Sequence, residues 1–202
     1  MIDSMVPVTK PEFLTELGKV DVTSLKRLVA GVSESVWDAE DSRKENRFEV
    51  FHHTRHIIFR FIAGMRDHRE FYSTPIWSAW RGHLQPIMDR AIEPFGFTEP
   101  VFPKVMLARL AAGAVIDRHV DGAGSNLFTH KIHVPLETSA GARMFIRDRE
   151  FHLEEGCVYE VNNVVPHAVE NRGALDRIHL IFEVFDAAGD ATPDRSSGSL
   201  QR

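Results

Sequence analysis

The residues with the clearest chemical potential are His119-Val120-Asp121, followed on a distant segment by His167 and, ten residues further on, by Arg177. Two imidazoles and one carboxylate, two of them from a tight turn and one from another strand, form the ligand set that holds non-haem Fe(II) on one face and leaves positions open. Open positions make such a site catalytic. Arg177 carries a planar fork of donors suited to the far carboxylate of a dicarboxylate that chelates the same metal. That geometry points to 2-oxoglutarate as cosubstrate and O2 as oxidant, with His119, Asp121 and His167 as metal ligands. A His-x-acid tripeptide is by itself common in a chain with 11 His, and His68-Arg69-Glu70 and His152-Leu153-Glu154 are further examples. The first is set apart by the Gly122 and Gly124 turn that follows it, by the alternating segments between the ligands and by the spacing from His167 to Arg177.

Four segments extend the pattern: LARLAAGAVIDRHVDG, FTHKIHVPLE, EGCVYEVNNVVPHAVEN and DRIHLIFEVF. Through them the stretch from about Lys104 to Phe185, about two-fifths of the chain, resembles the aspartyl/asparaginyl β-hydroxylase and proline-hydroxylase-like family of Fe(II)/2-oxoglutarate-dependent dioxygenases. The resemblance implies that His119, Asp121 and His167 bind iron and that Arg177 binds the distal carboxylate of 2-oxoglutarate. It further implies that His133 helps to hold the other carboxylate, with Lys131 standing where several members have Arg. Members that act on epidermal-growth-factor-like domains can lack the Asp of the tripeptide, so Asp121 places this chain nearer the small bacterial-type enzymes. A second cosubstrate contact, a Ser in those members, is matched here by Ala108. By the same resemblance the reaction hydroxylates an amino acid or amino-acid residue while 2-oxoglutarate is decarboxylated to succinate. Arg118, Asn162 and His179 are candidates for substrate contact, and Asn163 shares with Asn162 a place just before His167 from which to orient that ligand.

The elements that must carry these residues are short alternating segments separated by Gly-containing turns from Lys104 onward, the signature of a jelly roll. In THKIHVPL, Thr129, Lys131 and His133 share one face and His130, Ile132, Val134 and Leu136 the other. In RIHLIFEV, Arg177, His179, Ile181 and Glu183 oppose Ile178, Leu180, Phe182 and Val184. A jelly roll with a chelated dicarboxylate inside requires one apolar and one polar face on each strand. The competing reading makes the polar faces solvated exteriors of an ordinary antiparallel sheet. The expected architecture is mainly β, a double-stranded β-helix (jelly roll, cupin-like) with N-terminal helices buttressing one sheet.

In residues 1–45, Phe13, Leu14 and Leu17, then Leu25, Leu28, Val29 and Val32, recur at helical spacings, with Asp21 or Thr23 as a cap. A strand is expected from Thr54 to Phe61. Adjacent His52 and His53 on such a segment point to opposite faces, so the cluster with His56 reads as structural rather than metal-binding. Pro75 to Ile92 reads as a helix, capped by Ser73 or Thr74, whose stripe of Trp77, Trp80, Leu84, Ile87, Met88 and Ala91 belongs to the core. Residues 1–186 read as one domain, divided into an N-terminal part (1–103) and a catalytic core (104–186), with 187–202 a disordered tail.

Composition narrows the remaining classes. The 202 residues are 43% apolar and 26% charged, with a net charge of −5 and no dense Lys/Arg run, which argues against a nucleic-acid partner. The single Cys157 permits no intramolecular disulfide and suits a reducing cytoplasm, which also keeps iron ferrous. The opening residues lack a secretory pattern, and no apolar run could span a bilayer, so no membrane partner is expected. The expected partner is a small amino acid or peptide substrate; the oligomeric state stays open. Two rivals remain: a cupin-type metalloenzyme that does not use 2-oxoglutarate, and a non-catalytic binding module on the same fold.

Overall fold

The computed structural model describes residues 6–45, 49–122 and 124–190. In chain order its elements are β1 (Leu14–Lys19), α1 (Thr23–Ala30), α2 (Glu34–Ser42), β2 (Thr54–Ile62), β3 (Phe71–Ser73), α3 (Trp77–Ala91), β4 (Pro100–Leu110) and β5 (Val115–His119). Then follow β6 (His130–Glu137), β7 (Ala142–Ile146), β8 (Arg149–Phe151), β9 (Cys157–Val161), β10 (His167–Asn171), β11 (Arg177–Asp186) and a final turn of helix, α4 (Ala187–Asp190). The strands build a seven-stranded sheet ordered β1-β9-β6-β11-β4-β2-β3 and a four-stranded sheet ordered β5-β10-β7-β8. Neighbours run antiparallel, as in the pairing of β11 with both β4 and β6. This is the mainly β jelly roll expected from the alternation.

That alternation decides what lies on each side of the large sheet. Ile57 and Phe59 of β2, Val105 and Leu107 of β4, Ile132, Val134 and Leu136 of β6, and Leu180, Phe182 and Val184 of β11 point outward. There they meet Leu25 and Val29 of α1, Trp37 of α2, and Trp77, Leu84 and Met88 of α3. The helices therefore buttress one face of the large sheet, and each large apolar side chain sealed between them contributes roughly 1.5–3 kcal/mol. Trp80 and Ile87 pack against the same cluster, so the stripe on α3 is core along its length. The opposite face bears the polar residues, and they are buried rather than solvated: His133, Arg177, His179 and Glu183 are at most 5% exposed.

Three details differ from the sequence expectation. Leu14 and Leu17 lie in a strand, β1, which pairs with β9 from Leu14↔Val161 to Lys19↔Cys157. A spacing of three on a strand puts the two leucines on opposite faces, and both faces are covered here: Leu14 packs among the residues between the sheets, Leu17 on the helix side. Helical spacing and a doubly covered strand are alike in sequence at that length. Second, α3 starts at Trp77 without a side-chain cap. The Thr74 hydroxyl is used by the sheet instead, donating to Ile58 O at 2.8 Å; α1 likewise has no side-chain N-cap bond, its N-cap being Val22, although Asp21 just before it accepts from Thr23 N–H at 2.9 Å. Third, residues 187–190 of the expected tail form α4, with Ala187 N–H on Glu99 O at 2.9 Å; the rest of that tail lies outside the described residues. No helix among the described residues is long and apolar enough to cross a membrane.

Candidate metal centre

His119 closes β5 and His167 opens β10, and the two are direct cross-strand partners. Their rings lie 4.2 Å apart between centroids. Asp121 sits two residues beyond the end of β5, its backbone N–H fixed on Asn163 O at 3.0 Å. Its Oδ1 lies 3.6 Å from His119 Nε2 and 4.0 Å from His167 Nε2. One ligand atom from each of the three falls within 4.8 Å of the others, the one such group of three among the described residues.

The ring orientations are set by the backbone. His119 Nδ1 is 2.8 Å from Asp117 O and His167 Nδ1 is 2.9 Å from Val165 O. A carbonyl can only accept, so each Nδ1 carries the proton and each Nε2 lone pair is free for a metal. Burial also pushes the His167 imidazole down to about 4. The carboxylate is divided in the same way, since Asp121 Oδ2 accepts from Lys131 Nζ at 2.5 Å and from Asn163 Nδ2 at 3.0 Å. Although burial opposes ionisation, Lys131 and the two imidazoles hold Asp121 well below the usual carboxylate range. Two Nε2 atoms and Oδ1 thus converge with their other polar atoms already satisfied, and this donor set fits Fe(II).

The site opens on a cavity of about 440 Å³ that extends between the sheets as far as Arg177. Arg177 is buried, and its Nη2 donates to His179 Nδ1 at 3.0 Å. No carboxylate pairs with it among the described residues, and burial alone lowers its guanidinium to about 9. His133, also in the wall, has neither ring nitrogen hydrogen-bonded. Buried polar groups without partners are uncommon; an unmatched guanidinium beside an unpartnered imidazole fits an anionic guest such as 2-oxoglutarate. Ala108 lines the same cavity and offers it no hydrogen bond.

The other candidates lie elsewhere. Arg118 is directed away, donating to Arg147 O at 2.9 Å. Asn162 ties down the segment before β1, donating to Pro11 O at 2.7 Å, and does not line the cavity. Its neighbour Asn163, in the turn that follows β9, does line it. His179 stands behind Arg177, fully buried, with an unpartnered Nε2. Lys131 lines the cavity with its amine committed to Asp121. His52 and His53 lie in the turn before β2 with ring centroids 3.8 Å apart, not on opposite faces of a strand as expected; His68 packs flat on Phe128, and His152 donates to Ala142 O. His56, by contrast, lines the cavity beside Phe51.

Sequence reading missed a charge network at the inner end of the site. Lys104 of β4 and Glu183 of β11 face each other in register and form a 2.5 Å ion pair. The second oxygen of Glu183 accepts from Thr129 Oγ1 at 2.9 Å. Lys10 donates to Thr129 O at 2.6 Å and to Asn163 Oδ1 at 3.0 Å, and so braces the asparagine that orients Asp121. The available signal was a lone Lys in VFPKVML and a lone Glu in LIFEVF, each a single charge within a short apolar run.

Solved structures share this architecture at identities that speak to fold alone. The viral collagen prolyl hydroxylase of Paramecium Bursaria Chlorella virus-1, solved with 2-oxoglutarate, has a TM-score of 0.52 and 8% identity over 86% of this chain and 95% of its own. An oxidoreductase of the 2-oxoglutarate-Fe(II) oxygenase family from Burkholderia pseudomallei has a TM-score of 0.50 and 12% identity over 91% of this chain and 96% of its own. No curated protein matches the chain by sequence. The sequence model of the aspartyl/asparaginyl beta-hydroxylase family, however, matches residues 83–187. Because that match takes in more than half of the chain, including His119, Asp121, His167 and Arg177, this protein is an oxygenase belonging to the aspartyl/asparaginyl beta-hydroxylase family.

Proposed function

We propose that this protein is an Fe(II)/2-oxoglutarate-dependent dioxygenase that hydroxylates an amino acid or amino-acid residue, with residues 1–186 acting as one domain in a reducing cytoplasm. One observation carries the reading: a convergent His119, Asp121 and His167 set shares a cavity with Arg177, a buried guanidinium without a carboxylate partner among the described residues. Ferrous iron with O2 supplies the oxidising power when bound, one oxygen atom going to the substrate as hydroxyl while 2-oxoglutarate leaves as succinate and carbon dioxide.

The chain's own residues bind, orient and exclude water. His119 and His167 would offer Nε2, each ring fixed by its Nδ1–H donating to a backbone carbonyl, and Asp121 would offer Oδ1, its Oδ2 accepting from Lys131. Arg177 would neutralise the distal carboxylate of 2-oxoglutarate, and His133 would hydrogen-bond the carboxylate near the metal. Lys131 acts on this reading through Asp121, holding the carboxylate so that one oxygen stays free. The apolar lining from Ile116, Met144, Val169 and Ile181 keeps the chamber dry, which strengthens every charge interaction inside it. A metalloenzyme without 2-oxoglutarate gives no reason for a buried, unmatched Arg177, and a binding module gives none for the convergent ligand set.

The test is an anaerobic titration of metal-free protein with Fe(II) and then 2-oxoglutarate. A visible charge-transfer band of a chelated 2-oxo acid, and succinate release once air and substrate are admitted, are expected. Iron binding without a band would replace this reading by the cupin-type one.

A further inference from the structure

Beside Arg177 the large sheet carries a row of three residues in register. His56 of β2 pairs with Ala108 of β4, and Ala108 pairs in turn with His179 of β11. Cross-strand partners share a face, so two imidazoles flank a single methyl group. At about 4.8 Å per strand their backbones stand about 10 Å apart. The Arg177 side chain leans along this row, since its Nη2 donates to His179 Nδ1 at 3.0 Å. His56, Ala108 and Arg177 all line the cavity, whereas His179 does not.

The His56 ring is held from behind by the end of α2. Its Nδ1 lies 3.4 Å from both Lys44 Nζ and Asp41 Oδ1. That oxygen already accepts from Lys44 Nζ at 2.7 Å and from the His56 backbone N–H at 2.8 Å. The ring nitrogen therefore takes the ammonium, which can only donate. Burial keeps the ring toward its neutral form, so its one proton sits on Nε2. His56 is 5% exposed, and this Nε2 has no hydrogen-bond partner among the described residues. A buried donor without an acceptor is uncommon, and the cavity is where an acceptor can reach it.

We infer that His56 is a second residue holding the distal carboxylate of 2-oxoglutarate, its Nε2–H donating to one oxygen from β2 while Arg177 takes the other from β11. The inference rests on the function proposed above. The carboxylate then lies over Ala108, whose methyl group leaves room between the two donors where a larger side chain would part them. His56 stands outside residues 83–187, the part matched by the family model, so this contact is supplied by the N-terminal part of the chain. Lys44 and Asp41 act through His56 and are positioning residues.

The experiment is anaerobic calorimetry on the Fe(II)-loaded protein, titrated with 2-oxoglutarate and with 2-oxopentanoate, which has the same chain length and lacks the distal carboxylate. Binding is read without turnover. His56→Phe keeps a ring and removes the donor; it is expected to weaken 2-oxoglutarate by about 10- to 100-fold, the scale of one hydrogen bond to a charged group. Its affinity for 2-oxopentanoate is expected to stay within about threefold of the parent. His56→Gln, whose amide nitrogen can stand near the position of Nε2, is expected to hold 2-oxoglutarate within about threefold as well. Should His56→Phe not fold, His56→Met is titrated in its place with the same expectations. A donor-free variant that binds 2-oxoglutarate as the parent does overturns the inference, and so does an equal loss for both ligands or a Gln variant as weak as the Phe one. In each of those cases the proposed function stands. If the parent itself does not bind 2-oxoglutarate, both fall.

Discussion

Replacing Arg177 by Met should make the protein more stable and its cosubstrate affinity worse. Arg177 is 4% exposed, and burial alone moves its guanidinium from 12.5 to about 9. At about 1.4 kcal/mol per pKa unit, holding that cation in the folded chain costs at most about 5 kcal/mol. The variant gives up the hydrogen bond to His179, worth about 1.5–3 kcal/mol with a charged donor. A net stabilisation of about 1–3 kcal/mol remains, which for a chain of this size raises Tm by about 2–4 °C per kcal/mol. The sign with pH follows from a folded value below the unfolded one. The cost is fully present below about 9 and is relieved as pH rises through it, so the variant's advantage should shrink in alkali. Losing a charge-assisted pair to the cosubstrate should weaken 2-oxoglutarate by about 2–4 kcal/mol, roughly 30- to 700-fold. Urea unfolding at neutral pH measures the first quantity and calorimetric titration the second. A variant less stable than the parent by more than about 1 kcal/mol, or one that binds 2-oxoglutarate within about threefold of it, would refute the reasoning.

Three further expectations are independent of that one. Asp121→Ala should weaken Fe(II) binding by about 100-fold or more and abolish succinate release, because it removes a ligand and strands the Lys131 ammonium; near-normal iron retention would show that the metal sits elsewhere. Gly141→Ala should cost about 2–4 kcal/mol, since its new Cβ would lie 2.6 Å from the backbone nitrogen of Gly173, yet 2-oxoglutarate affinity should hold because neither glycine lines the cavity; a stability loss within error would show that the two loops yield easily. Lys10→Met addresses a half-buried ammonium that desolvation lowers to about 8. A lysine with a depressed folded value penalises the native state below that pH and is relieved above it, so the parent should gain stability relative to the variant between about pH 8 and 10.5. Unfolding curves at pH 7 and 10 decide this, and a difference constant across that window would show that Lys10 is not constrained.

The readable parts of the sequence were those in which one periodicity has one explanation. The strands KIHVPL and RIHLIFEV alternate strictly, and their two faces are where the alternation assigns them, with Leu180 and Phe182 under the helices and Arg177 and Ile181 in the cavity. The candidate site is legible by residue type to the extent that His119, Asp121 and His167 converge, one ligand atom of each within 4.8 Å of the others. Leu14 and Leu17 were misread because three residues is both a turn of helix and the separation that sends strand side chains to opposite, equally covered faces. Asn162 and Asn163 could not be told apart from sequence, since only the direction of the chain past β9 decides which one reaches Asp121. Lys104 and Glu183 lie 79 residues apart, and their pairing depends on a register that no local pattern specifies.

The place of β11 in the large sheet bears on how the protein is made. It is the last strand among the described residues, and it lies in the middle of the sheet, between β6 and β4. During synthesis from the N-terminus, β1-β9-β6 and β4-β2-β3 can exist only as separate partial sheets, each with an unpaired inner edge. Such edges recruit strands from other chains. A ribosome-bound chain stalled before Arg177 would therefore lack that buried guanidinium and also expose two edges that invite aggregation. Insertion of β11 would join the sheets, bring Glu183 onto Lys104 and place Arg177 in the chamber in one event, so a nascent chain should gain protease resistance and cosubstrate binding together.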